Sequence, residues 1–171
     1  TDATAPSPAS VPSSVQPGAL VDERQAQALR TILAQDPRNA RAAKQLGNLL
    51  YDAGRYAEAV PVYKQAFALD PSDVNLSTDL GTALWYAGRP DEALAQYEKS
   101  LTIDPSHGHT LFNKGIVLND GKLDAPQALQ AWERLLATNP NYPERAKVEQ
   151  LMEQTRQRMT STPVAPVRST R

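Results

Sequence analysis

The chain contains no cysteine, which excludes disulfide staples, thiol nucleophiles and thiolate metal sites. It has only two histidines, His107 and His109, so imidazole chemistry has little to draw on. Neither sign of charge is in excess. The balance of 18 Lys and Arg against 19 Asp and Glu argues against a nucleic-acid or anionic-membrane partner. No apolar run approaches the roughly 18 residues of a membrane span, so direct membrane insertion is not expected. There is no initiator methionine and no signal-peptide apolar segment, which reads as a processed form. A phosphate-cradling G-x-x-x-x-G-K loop and a zinc-binding H-E-x-x-H helix are both missing. Carboxylates abound, but they mix with cations at helical spacing, as in Arg145, Glu149, Glu153 and Arg156. That is the pattern of a solvated face, not of a catalytic dyad. The chain is therefore read as a non-enzyme with no catalytic residues, no cofactor and no metal. The H-x-H of His107 and His109 is assigned to an exposed turn rather than to a metal site.

What is present is a period. Pro37, Pro71, Pro105 and Pro140 are spaced 34, 34 and 35 residues apart, each behind an Asp or Asn. Gly47, Gly81 and Gly115 keep the same interval of 34. Between these markers the apolar residues recur at helical spacing: Ala42, Ala43, Leu46, Leu49 and Leu50, then Ala59, Val62, Tyr63, Ala66 and Leu69. The pattern returns with Leu76, Leu80, Ala83 and Leu84, then Ala93, Leu94, Tyr97 and Leu101, and again with Leu111, Leu118, Ala128, Leu129, Trp132 and Leu135. Ala53-Gly54-Arg55 and Ala87-Gly88-Arg89 mark the inner turns, with glycine suited to a left-handed helix end. The third inner turn is irregular. Gly81 to Ala93 is 12 residues and Gly115 to Ala128 is 13, and the extra residue is placed within 120–125. Pro61, some five residues into its helix, predicts a modest kink or a late helix start.

A unit of this length, repeated, means stacked hairpins in which each covers the apolar flank of the next. The first and last units of such an array need covers. A helix over 20–35, with Leu29, Ile32 and Leu33, serves one end. A helix over 143–159, with Val148, Leu151 and Met152 inside a charged surface, serves the other. Residues 1–18 and 160–171, rich in Pro, Ser and Thr, read as a disordered linker and tail.

These residues resemble the tetratricopeptide repeat. The three units read Ala43, Leu46, Gly47, Leu50, Ala59, Tyr63, Ala66, Pro71; Ser77, Leu80, Gly81, Leu84, Ala93, Tyr97, Ser100, Pro105; and Leu111, Lys114, Gly115, Leu118, Ala128, Trp132, Leu135, Pro140. Ala43 and Ser77 stand where the pattern has a large residue, and Lys114 where it has Leu. The resemblance implies an all-α fold: a right-handed α-superhelix of three helix hairpins flanked by N- and C-terminal capping helices. Its domain spans 19–159, with repeats at about 38–71, 72–105 and 106–140. It also implies a concave groove, lined by the first helix of each unit, that binds peptides. The groove residues that carry over are Lys44, Asn48, Tyr51, Thr82, Trp85, Tyr86, His109, Phe112 and Ile116, with Asn119 and Asp120 at the far end. Tyr51, Trp85, Tyr86, Phe112 and Ile116 are more apolar than a solvated groove needs, which makes them candidate anchors for a partner.

Some members of the family clamp the C-terminal carboxylate of a chaperone partner. Lys44 and Asn48 match that clamp, but Thr82, His109 and Asn113 replace an Asn and two cations, so the mode is not expected here. The function implied is a protein- or peptide-binding adaptor or scaffold, its partner unidentified. A structural homo-oligomer is the alternative, supported by Pro61, the irregular third turn and an apolar edge of Val148, Met152 and Met159. A narrower likeness, in Ala131 to Leu136 and the long charged last helix, is to periplasmic, membrane-anchored repeat domains that assist bacterial cytochrome c maturation. It leans the localisation toward the periplasm or cell envelope, with the cytoplasm as the alternative.

Overall fold

A computed structural model describes residues 17–161, with side chains from residue 23 onward. Eight α-helices follow one another among the described residues, and no strand occurs there. They are α1 (Pro17–Gln35), α2 (Ala40–Asp52), α3 (Tyr56–Leu69), α4 (Val74–Tyr86), α5 (Pro90–Ile103), α6 (Gly108–Ile116), α7 (Ala125–Thr138) and α8 (Arg145–Ser161). The pairs α2/α3, α4/α5 and α6/α7 are the three expected hairpins, and they stack into the superhelix. Helix α1 opens two residues inside the segment read as linker, and α8 runs Arg145–Ser161 instead of 143–159. The remaining linker and tail residues lie outside the described ones.

Each helix begins and ends where local chemistry dictates. Asn39 and Asp73 cap α2 and α4 by accepting from the amides of Ala42 and Leu76, both at 3.0 Å. Asp70 and Asp104 accept from the Ser72 and Ser106 hydroxyls at 2.8 Å, which folds the Asp-Pro turns between repeats. The inner turns close on Gly54 and Gly88, whose φ of 72° and 76° only glycine adopts freely. Arg55 and Arg89 then grip Glu58 and Glu92 with paired bonds of 2.6–2.7 Å at the start of the second helices. Arg55 also reaches Glu23 of α1, tying the N-terminal cap to the first hairpin.

Helix α3 starts on time, at Tyr56, and continues through Pro61, so the late start expected there does not occur. Pro61 lies on the exposed side of the helix. The extra residue of the third unit also falls earlier than expected. Val117–Gly121 form a π-helical turn, closed by the Lys122 amide on the Val117 carbonyl at 3.0 Å. The chain then passes through Leu123, 81 % exposed, at a left-handed φ of 54° in place of the glycine of the other turns.

The core follows the repeat. One apolar cluster runs from Ala26 and Leu29 to Tyr97 and also takes in Val117, and a second runs from Leu101 to Met152. Tyr63, Tyr97 and Trp132 each lie over the glycine of their own hairpin, Gly47, Gly81 and Gly115. They fill the gap within a repeat. Ser77 stands in for a large residue because it is buried in a polar knot, accepting from Gln96 and Ser100 at 2.8 Å. Val148 and Met152 are buried against α7, so two of the three residues of the expected assembly edge serve the chain's own core. Only Met159, 46 % exposed, remains outside.

Candidate functional site

Helices α2, α4 and α6 stand side by side, and residues 34 apart form rows across them: Lys44, Thr78 and Phe112; Asn48, Thr82 and Ile116. Two hollows open along these rows. The first, of about 180 Å³, is lined by Tyr51, Tyr63, Asn75, Thr78, Asp79, Thr82, His107, His109 and Asn113. The second, of about 240 Å³, is lined by Thr82, Trp85, Tyr86, Tyr97, Phe112, Asn113, Ile116, Lys147 and Leu151. Thr82 and Asn113 form the sill between them, with the Asn113 amide donating to Thr82 Oγ1 at 3.1 Å.

The first hollow is polar. Lys44 does not open into it, because its ammonium pairs with Asp73 at 2.6 Å. Burial works against charge on Asp73, but Lys44 and the Leu76 amide hold its carboxyl below the usual range. Asn48 is also occupied, accepting from the Tyr63 hydroxyl at 2.9 Å. Thr82 donates to the Thr78 carbonyl at 2.9 Å and accepts from Tyr97 at 3.1 Å. Asp79, half-buried, has no hydrogen bond or ion pair among the described residues. Burial pushes its carboxyl up, partly offset by the positive charge of Lys44.

His107 caps no amide with its side chain. Instead Nε2 donates to the side-chain oxygen Oδ1 of Asn75 at 3.1 Å, and Nδ1 faces the Thr110 hydroxyl at 2.8 Å. His109 meets it edge-on, with ring centroids 5.8 Å apart. Burial, then His109, holds the His107 imidazole below its ordinary value, while Asp104 pulls the other way. A histidine shifted in this direction contributes stability that is full above its unfolded value of 6.5 and is lost as pH falls below it. Asp79 runs the opposite way, since its folded-state penalty is relieved on protonation. In an Asp79→Asn background the urea midpoint should therefore fall between about pH 7 and about pH 5. His107→Gln should flatten that slope; an unchanged slope would place its origin elsewhere.

The second hollow is apolar. Tyr86 is 55 % exposed and stacks on Tyr56 at 4.9 Å, while Tyr51 meets both rings edge-on. Burial first, then its two tyrosine neighbours, pushes the Tyr51 hydroxyl up to about 12, so it stays a neutral donor. Phe112 lies against Tyr142, and Lys147 sits 5.1 Å over its ring. Trp85 has two roles. It lines this hollow and it packs on the core, where a Cβ at Gly121 would come within 2.6 Å of its ring.

Of the nine residues expected in the groove, Tyr51, Thr82, Trp85, Tyr86, His109, Phe112 and Ile116 line the two hollows; Lys44 and Asn48 lie beside them, held by Asp73 and Tyr63. Asn119 is not there. It is buried beneath α8, accepting from Thr155 at 3.0 Å and Arg158 at 2.9 Å. Residues that the sequence reading did not place in the groove are Asp79 and His107, with Lys147 and Leu151 from α8; Asn113 entered it only at a clamp position. Asp79 and Asn113 are themselves 34 apart, so the period contained the signal. Lys147 and Leu151 lie on a helix with no repeat partner, and no periodic argument reaches them.

Two tetratricopeptide repeat models match the sequence, one over residues 24–74 and one over residues 50–111. No curated protein matches it. Among solved structures, the MamA protein superposes with a TM-score of 0.67 at 17% identity, over 86% of this chain and 89% of that one. The Yersinia enterocolitica type III secretion chaperone SycD, in complex with a peptide of the translocator YopD, gives 0.65 at 20% identity, over 70% and 93%. The first repeat domain of Spaghetti (RPAP3), bound to the HSP90 peptide SRMEEVD, gives 0.64 at 21% identity, over 74% and 97%. At such identities the likeness is one of fold.

Proposed function

The chain is a tetratricopeptide repeat protein, and on that premise we propose that it is a non-catalytic adaptor whose concave groove holds an extended segment of a protein partner. The observation that carries this reading is the second hollow. Trp85, Tyr86, Phe112 and Ile116 surround about 240 Å³ of open space, with Leu151 of the capping helix as its far wall. An aliphatic or aromatic side chain of a partner would bury itself there and remove those walls from water. SycD and RPAP3, each solved with a peptide, lend the same fold to the same use.

Catalysis finds no support among the groups present. The hydroxyls of Thr78 and Thr82 donate to the carbonyls of Val74 and Thr78, four residues back; Thr110, whose hydroxyl does meet His107 Nδ1 at 2.8 Å, is fully buried and out of a substrate's reach. Capture of an acidic C-terminus is disfavoured as well, since Lys44 is spent on Asp73 and Asp79 faces the space a carboxylate would need.

Selection from a phage-displayed random peptide library tests the reading. Peptides enriched on the wild type should bind the Tyr86→Ala/Phe112→Ala protein at least about tenfold more weakly, with the melting temperature lowered by no more than a few degrees. Enrichment of no peptide, or of peptides indifferent to both substitutions, would remove the groove from consideration.

A further inference from the structure

The charge in the first hollow points to a ligand chemistry. We propose that the hollow around Asp79 is a pocket for a basic side chain, so that the groove selects a partner segment carrying Lys or Arg next to an apolar anchor. This rests on the groove reading above and adds the identity of a second subsite.

Among the described residues Asp79 is the only carboxylate lining the first hollow, and no lysine or arginine lines it. The positive group with the strongest influence on it, Lys44, is already bonded to Asp73 at 2.6 Å. His107 has Asn75 and Thr110 on its two nitrogens. His109 lines the wall without a hydrogen bond or ion pair among the described residues and favours the Asp79 charge less than Lys44 does, while Asp73 and Asp52 add to the negative field there. A carboxylate that is half-buried with no hydrogen bond or ion pair costs the fold stability. An incoming ammonium or guanidinium would supply the missing partner, so the cost borne by the free protein returns as a difference in affinity between basic and neutral ligands. An acceptor for a remaining donor of such a group lies in the same wall, on the Tyr51 hydroxyl, which has no hydrogen bond among the described residues.

The two hollows adjoin across Thr82 and Asn113. In an extended segment, side chains two residues apart project from one face, separated by about 7 Å. A basic residue and an apolar residue in that relation would enter the two hollows together.

The same random library decides the matter. Sequences enriched on the wild type should carry Lys or Arg close to an aliphatic or aromatic residue. On Asp79→Asn the apolar preference should persist while the basic preference disappears. A synthetic, end-capped peptide of an enriched sequence should lose about tenfold in affinity when its basic residue becomes Gln, and more when it becomes Glu. Asp79→Asn should abolish that difference and raise the melting temperature, a pairing that a merely structural Asp79 would not produce. Enrichment without a basic residue, or a basic preference that survives Asp79→Asn, overturns the pocket and leaves the apolar groove standing. Enriched peptides indifferent to Tyr86→Ala/Phe112→Ala overturn the groove itself and the pocket with it. Deleting residues 162–171 should leave the peptide's affinity unchanged. A rise of about tenfold would make the chain's own C-terminal segment the occupant and defeat the assignment to a partner.

Discussion

Gly81→Ala is expected to lower the melting temperature by about 5–10 °C, a large effect for one added methyl group. Alanine is the better helix former, and in an open helix the exchange would return about 1 kcal/mol. Here a Cβ at position 81 would stand 2.5 Å from Cε1 and 2.7 Å from Cδ1 of Tyr97. The ring cannot swing aside, because Tyr97 is fully buried and its hydroxyl is bonded to Thr82 at 3.1 Å. Helices α4 and α5 must therefore separate, and overpacking of this kind costs about 1–3 kcal/mol or more. The clash outweighs the propensity. Gly88→Ala separates this cause from backbone strain, since nothing lies within 4 Å of its Cβ position and its cost comes from a φ of 76° alone. In a Tyr97→Leu background the Gly81→Ala penalty should largely vanish, whereas the Gly88→Ala penalty should not. A Gly81→Ala protein as stable as the wild type would mean that the two helices do not approach as closely as their contact requires.

That contact also explains why so much of the fold was legible. A glycine and an aromatic that must meet recur at the same distance along the chain in the first two units and one residue further apart in the third, and the Asp-Pro turns that the Asp70 and Asp104 side chains close return with the same period. Once one hairpin is identified the period supplies the others. The period fails where the chain departs from it. A count of residues shows that the third unit has one too many, but an extra residue can enter either the turn or the helix before it. It enters as the π-helical turn Val117–Gly121, which rotates the next residues of the chain about the helix axis. Asn119, equivalent to Trp85 and Tyr51 by count, consequently points under α8 and not into the groove.

The site was legible to the extent that it lies on the repeat. Tyr51, Trp85, Tyr86, Phe112 and Ile116, which border the two hollows, stand out in the sequence because they are apolar where the packing pattern asks for nothing apolar. Asp79 escaped because a charged residue on the first helix of a repeat is ordinarily a solvated one, and only its neighbours reveal that it is half-buried and unmatched. The stability that Asp79 forfeits and the selectivity proposed for it are two faces of one desolvation.

Val148→Asp is expected to be the most damaging single substitution in the C-terminal cap, at about 3–5 kcal/mol. Val148 is fully buried in the second apolar cluster, with Leu135, Trp132 and Met152 among its members. A carboxylate there would lose its water and gain no partner. Neutralised by protonation it would still be an unsatisfied polar group in an apolar wall. The loss should extend beyond α8. With the cap loosened, Leu151 and Lys147 leave the far side of the apolar hollow, so peptide affinity should fall together with the melting temperature. Met159→Asp is the companion measurement. Met159 lies on the same helix but is 46 % exposed, and its replacement should change stability by no more than about 0.5 kcal/mol. If instead α8 served as an edge for self-association, the two substitutions would both shift the sedimentation coefficient and neither would greatly lower the melting temperature. A monomer that melts early with Val148→Asp and normally with Met159→Asp assigns the helix to the chain's own core, because only residues already buried in the isolated chain can punish a buried charge.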